Sequence, residues 1–166
     1  MSELSVEWTP KHFILDVDGV FTDGKIYYSS EGKIFKVFGP DDHDALKMIK
    51  GKLKITVVSA DSRGFSITKR RIETDMGLEL HLVGSKERAD WIKLNFDPTE
   101  CVYMGDGIFD PMIFGIVKYS IAPANASTRT RSRASYVTES KGSEAAVAEA
   151  VIHLLDSFFG GSERFL

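Results

Sequence analysis

Two aspartates, two positions apart, close a run of apolar residues near the start of the chain. The stretch "FILDVDGVFTDG", residues 13–24, places Asp16 and Asp18 at the end of what reads as a buried strand. Charge in that position is costly unless a positive species is bound beside it. Three further polar clusters follow apolar runs in the same way: Ser59 after "ITVV", Lys86 shortly after "LHLV", and Asp106 with Asp110 after "CVYM". Asp16, Asp18 and Asp106 gathered at one spot would repel one another and disturb each other's protonation, which a hard divalent cation relieves. Magnesium takes oxygen ligands and is commonly held by one or two carboxylates plus a substrate phosphate, which suits this acid-rich, histidine-poor and cysteine-free set. Ser59 contributes a hydroxyl and Lys86 a fixed positive charge, both suited to a phosphoryl group. Backbone N–H groups in the turns after Asp16 and Ser59, that of Ala60 included, add further donors. With phosphate and cation in place, Asp16 can attack phosphorus and form an acyl phosphate. Asp18, on the same turn, can protonate the leaving oxygen and then activate water. Taken singly, each feature reads more simply as a solvated turn, a helix cap or a surface lysine; their common placement at strand ends carries the argument.

Placing these residues together requires a particular arrangement of elements. After the first strand, "KIYYSSEGKIFKVF" reads as a β-hairpin with Gly32 at its turn. A helix follows, capped by Asp41 or Asp42 and carrying Ala45, Leu46, Met48 and Ile49 on one stripe. Strand and helix then alternate: "LKITVVSA", a helix over 62–76 stopped by Gly77, "LELHLV", the helix "KERADWIKLNF", "CVYMG", a short helix over 111–117, "KYSIA", a polar helix over 126–134, "SYVT", and an amphipathic helix over 143–159. This order predicts an α/β fold, a three-layer Rossmann-like parallel sheet covered on both faces, in one domain over 1–166 with loose tails at 1–10 and 160–166. Ligands bind such sheets beyond the carboxyl ends of the strands, near the switch in strand order, which is where all four polar clusters fall.

At this point "DVDGVFTDG", "VVS", a lysine after the next strand and "GDGIFD" resemble the four motifs of the haloacid dehalogenase superfamily of phosphatases. The hairpin in place of a cap domain, together with "SYVTESKGSEAAVAEAV", is similar to the capless branch of the octulosonate phosphatases. The resemblance runs from about residue 12 to 155, nearly the whole chain. It implies Asp16 and Asp106 as side-chain metal ligands, Asp18 adding its backbone carbonyl, Asp110 supporting the metal shell, and Ser59 and Lys86 on the phosphate. It also implies a homotetramer, with hairpins packed together. On the substrate side this chain departs from the branch: it has "FGPDDHDA" where members read F-x-x-R-D-G-x-G, so Asp41 replaces an arginine and His43 and Ala45 replace glycines. Ala60 and Asp61 likewise stand in place of Gly-Arg. Asp41, Asp42, His43, Asp61 and Arg71 are therefore the expected substrate-contacting positions, and the expected substrate is a phosphorylated sugar or sugar acid of octulosonate or nonulosonate type with altered specificity.

The composition is compatible with this. The 166 residues carry a formal charge of -3, with no lysine-arginine block beyond "KRR", so no nucleic-acid partner is expected. No apolar run approaches a membrane span and the N-terminus lacks a signal-peptide core, so no membrane partner is expected and a cytoplasmic setting is the default. The single cysteine, Cys101, excludes an internal disulfide and reads as core. Two rival readings use similar residues. A receiver-type signalling module takes phosphate on one aspartate of a later strand, whereas here the acid pair ends the first. A catalytically silent scaffold of the kind fused to sugar-nucleotide enzymes is expected to have lost a catalytic acid, and all four are present.

Overall fold

A computed structural model describes residues 8–165. Its first strand, β1 (His12–Asp16), is followed by the antiparallel hairpin β2 (Tyr27–Ser29) and β3 (Gly32–Phe35). Then come α1 (Asp41–Ile49), β4 (Lys54–Ser59), α2 (Phe65–Lys69), which passes into a π-helical stretch (Arg70–Asp75), and β5 (Glu79–Leu82). The second half contains α3 (Arg88–Asn95), β6 (Cys101–Met104), α4 (Asp110–Phe114), β7 (Tyr119–Ala122), α5 (Thr128–Arg131), β8 (Tyr136–Val137) and α6 (Ala146–Phe158).

Six strands pair in parallel in the order β5-β4-β1-β6-β7-β8, with His12 in register with Lys54 on one side and Cys101 on the other. The chain steps outward from β1 to β4 and β5, then crosses back to β6, so the switch in strand order lies at the carboxyl end of β1. Alternating residues of β1 feed the two faces. Phe13 and Leu15 pack with Leu46 and Ile49 of α1 and with Val151 and Leu154 of α6. Ile14 packs with Ile92, Tyr103 and Ile113 on the other face. Cys101 is buried there, and burial pushes its thiol up to about 12. The predicted three layers are present, and the hairpin is the sole sheet element between β1 and α1 among the described residues.

Several boundaries differ from those read in the sequence. The helix expected over 62–76 begins at Phe65 and widens to π-helical turns at Arg70. Asp41 opens α1, but neither it nor Asp42 caps that helix. Asp42 instead accepts a hydrogen bond from Ala148 N (3.0 Å), in the first turn of α6. The segments expected as loose tails are anchored over their described residues. Trp8 packs edge-on against Phe158 at 5.1 Å and stacks on Tyr119, while Glu163–Phe165 forms a 3-10 turn that Arg164 ties to Phe159 O. No helix among the described residues is long and apolar enough to cross a membrane.

Candidate active site

β1 delivers Asp16 at the mouth of the sheet, and the backbone at once folds back: the N–H groups of Val20, Phe21 and Thr22 all donate to Val17 O. Gly19 sits in this turn with φ +82, and a Cβ there would lie 1.9 Å from Asp106 Oδ2. Only glycine supplies both that dihedral and that close approach. Asn125 buttresses the turn, donating from Nδ2 to Gly19 O (2.9 Å) and accepting from Gly142 N (2.7 Å). Gly142 itself packs so closely that a Cβ would meet Thr22 O at 2.2 Å.

Asp16, Asp106 and Asp110 each present a carboxylate oxygen, and these atoms lie within 4.8 Å of one another. Burial pushes Asp106 up to about 7, with the charges of Asp16 and Asp110 adding to the shift. Burial and the Asp16 charge push Asp110 up to about 6 against the pull of Arg88. Burial raises Asp16 as well, opposed by the same guanidinium. Three partly buried carboxylates that resist joint ionisation, with oxygen donors only, fit a hard divalent cation such as magnesium. Asp110 is fixed from both sides, accepting from Tyr103 Oη (2.8 Å) and from Gly107 N (2.7 Å).

Three cations of the site, Arg88, Lys36 and Lys33, are not singled out by the sequence. Arg88, 1% exposed, places Nη1 at 2.9 Å from Asp16 Oδ2, at 2.8 Å from Tyr103 Oη and at 3.8 Å from Asp110 Oδ1. Lys36, directly after β3, reaches from the hairpin to Asp18 Oδ1 (2.8 Å) and Asp61 Oδ2 (2.9 Å). Lys86, the lysine expected on the phosphate, is exposed and holds its Nζ 5.7 Å from the centre of the Phe109 ring. The cation paired with Asp16 and Asp110 is Arg88, which begins α3 one turn before the buried Ile92 and so faces inward. The inward stripe of Arg88 and Ile92 is the available signal, although an arginine at that spacing ordinarily reads as a solvated helix face.

Ser59 ends β4 fully buried, its Oγ accepting from Asp61 N (3.2 Å) and lying 3.5 Å from Asp18 Oδ2. Ala60 follows in the exposed turn. Asp61 lies in the site, bonded to Lys33, to Lys36 and to Gly64 N (3.0 Å). Burial alone would raise its pKa, but the two lysines outweigh that and hold it at about 2. The remaining expected substrate positions lie on α1 and the π-helical stretch. Asp42 is spent on α6. His43 lines a cavity of about 160 Å³ with Leu46, Met76 and Leu78. Asp41 lines a groove between α1 and α6 whose lining includes none of the site acids. Arg71 is half-buried, and its charge acts on Asp42 and His43.

A family profile described as haloacid dehalogenase-like hydrolase matches residues 90–151. The 3-deoxy-D-manno-octulosonate 8-phosphate phosphatase of Haemophilus influenzae is 30% identical over 145 residues, 84% of this chain and 79% of that protein. A cobalt-bound structure of the Haemophilus influenzae enzyme superposes with a TM-score of 0.79 at 28% identity, covering 90% of this chain and 89% of the other. The Moraxella catarrhalis phosphatase, solved with magnesium, phosphate and KDO, gives a TM-score of 0.80 at 25% identity, covering 91% and 88%. Likeness of this extent, in sequence and in backbone, shows that the chain belongs to the haloacid dehalogenase-like hydrolases, in the capless branch of the octulosonate phosphate phosphatases.

Proposed function

We propose that this protein is a magnesium-dependent phosphomonoesterase that hydrolyses a small phosphorylated sugar or sugar acid through a phospho-aspartate at Asp16. The observation that carries the reading is Asp16 itself, held at the switch point of the sheet between Arg88 and two further carboxylates, with Asp18 on the same turn. Asp16 and Asp106 would hold the cation, with the Asp18 carbonyl, while Asp110 supports them; when bound, the cation neutralises the acids and draws the phosphate to them.

Arg88 holds Asp16 by Oδ2, and Oδ1, which accepts from Val17 N (2.8 Å), is the oxygen aimed at phosphorus. As the Asp16–phosphorus bond forms, the bond from phosphorus to the sugar oxygen breaks, and Asp18 gives that oxygen its proton. Asp18 then takes a proton from water as the water oxygen attacks the acyl phosphate, the Asp16–phosphorus bond breaks, and inorganic phosphate leaves. Ser59 and the backbone N–H groups around Ala60 are the donors for the phosphoryl oxygens. Asp61 would face the rest of the substrate. A relative solved with magnesium, phosphate and KDO supports a sugar-acid phosphate as the substrate class. The reading includes a cytoplasmic homotetramer associating through the exposed hairpin.

The test is hydrolysis of p-nitrophenyl phosphate with and without magnesium, for the natural sequence and for Asp16→Asn, followed by a panel of sugar phosphates that includes octulosonate 8-phosphate. Magnesium-dependent turnover that vanishes in Asp16→Asn is expected. A fully active Asp16→Asn would sink the reading, while a stable phosphoprotein without turnover would point to a receiver.

A further inference from the structure

Lys36 is a buried ammonium carried by the hairpin, and its surroundings are unusual. Its side chain is 1% exposed, and it reaches three acceptors: Asp18 Oδ1 at 2.8 Å, Asp61 Oδ2 at 2.9 Å and Thr68 Oγ1 at 2.9 Å. Thr68 Oγ1 takes a hydrogen bond from the ammonium, and the two carboxylates pair with it as ions. A lysine so far from water persists only when paired in this way. Asp61, the second acid on it, is itself pinned by Lys33 and by Gly64 N.

Asp18 is held quite differently. Its Oδ1 takes the Lys36 ammonium, while its Oδ2 has Ser59 Oγ at 3.5 Å, at the limit of a hydrogen bond. One oxygen is fixed and the other is nearly free. The carboxyl that must exchange protons with the leaving group and with water is therefore oriented by a residue of the hairpin, outside the central six-stranded sheet.

We propose that Lys36 is a positioning residue for proton transfer: the hairpin supplies an ammonium, locked by Asp61 and Thr68, that fixes the Asp18 carboxyl by one oxygen and leaves the other for the leaving group. The hairpin is then part of the reaction apparatus as well as a cover. This inference rests on the phospho-aspartate reading above.

Two esters separate the effect. A sugar phosphate expels an alkoxide that needs a proton, whereas p-nitrophenolate departs without one. The ratio kcat/KM reports only the steps through that first departure. In the full chain with magnesium, Lys36→Met is expected to lower kcat/KM for the sugar phosphate turned over fastest at least about tenfold more than for p-nitrophenyl phosphate. Lys36→Arg, which keeps the charge but not the point geometry, is expected to recover part of that difference. Equal losses on the two esters, or no loss on either, would overturn the proposal. Should circular dichroism show Lys36→Met unfolded, Lys36→Arg decides: a loss selective for the sugar ester supports the proposal and an unchanged ratio overturns it. Failure of the underlying reading shows separately, as an inactive natural sequence or an active Asp16→Asn.

Discussion

Arg88 lies between Asp16 and Asp110, linked to the latter through Tyr103, so one guanidinium sets the position of the proposed nucleophile and part of the proposed cation site. Arg88→Met would leave Asp16 and Asp110 buried without their counter-charge, at a cost of about 3–5 kcal/mol in stability. Activity at saturating magnesium is expected to fall by about two orders of magnitude, and Arg88→Lys should fall less. Steady-state kinetics with urea denaturation checks both. Gly19→Ala tests the other side of the cluster. A left-handed backbone costs alanine about 1–2 kcal/mol, and its Cβ would displace the Asp106 carboxylate. The expected outcome is a chain that folds but requires much more magnesium for half-maximal activity, read from a metal titration. At this scale the acids were legible because each ends an apolar run. The cations were not: Lys86 is conspicuous in sequence, whereas Arg88 and Lys36 differ from surface residues only in which way the backbone turns them.

The elements were legible wherever periodicity was strong, above all in the four central parallel strands and in α6. What the sequence concealed is how elements serve one another. Asp42 looks like the cap of its own helix, yet it caps α6, and no residue of α6 announces that need. The arrangement has a pH signature. Burial pushes Asp42 from 3.8 up to about 6, so the folded state binds a proton that the unfolded chain releases earlier. The resulting stability is present below the unfolded value and is lost as pH rises through about 4 to 6, by up to about 3 kcal/mol. Asp42→Asn keeps the acceptor for Ala148 N and removes the charge, so this segment of the pH dependence should disappear. Urea unfolding at a series of pH values compares the two chains; parallel curves would refute the assignment.

For the molecule as a whole, the hairpin is the exposed element. Ile26, Tyr27, Tyr28, Ile34, Phe35 and Val37 stand between 38% and 56% accessible on a segment that also delivers Lys33 and Lys36 to the site. An apolar surface of this kind marks an association site. Sedimentation should therefore show an oligomer, and the pair Ile34→Lys with Tyr28→Lys should reduce it to smaller species. If Lys36 acts as inferred, dissociation should also slow the sugar ester more than the aryl ester; a monomeric natural sequence would remove the premise. The hairpin's existence was legible from Gly32 and the flanking aromatics, but its partnership with Asp18 and Asp61 was not, since edge lysines ordinarily read as solvated.

The brace on the catalytic turn has one more consequence. Asp16 precedes Asn125 and Gly142, which clasp the loop behind it, by more than a hundred positions along the chain. A nascent chain thus carries the proposed nucleophile without the means to aim it until those two later residues have left the ribosome.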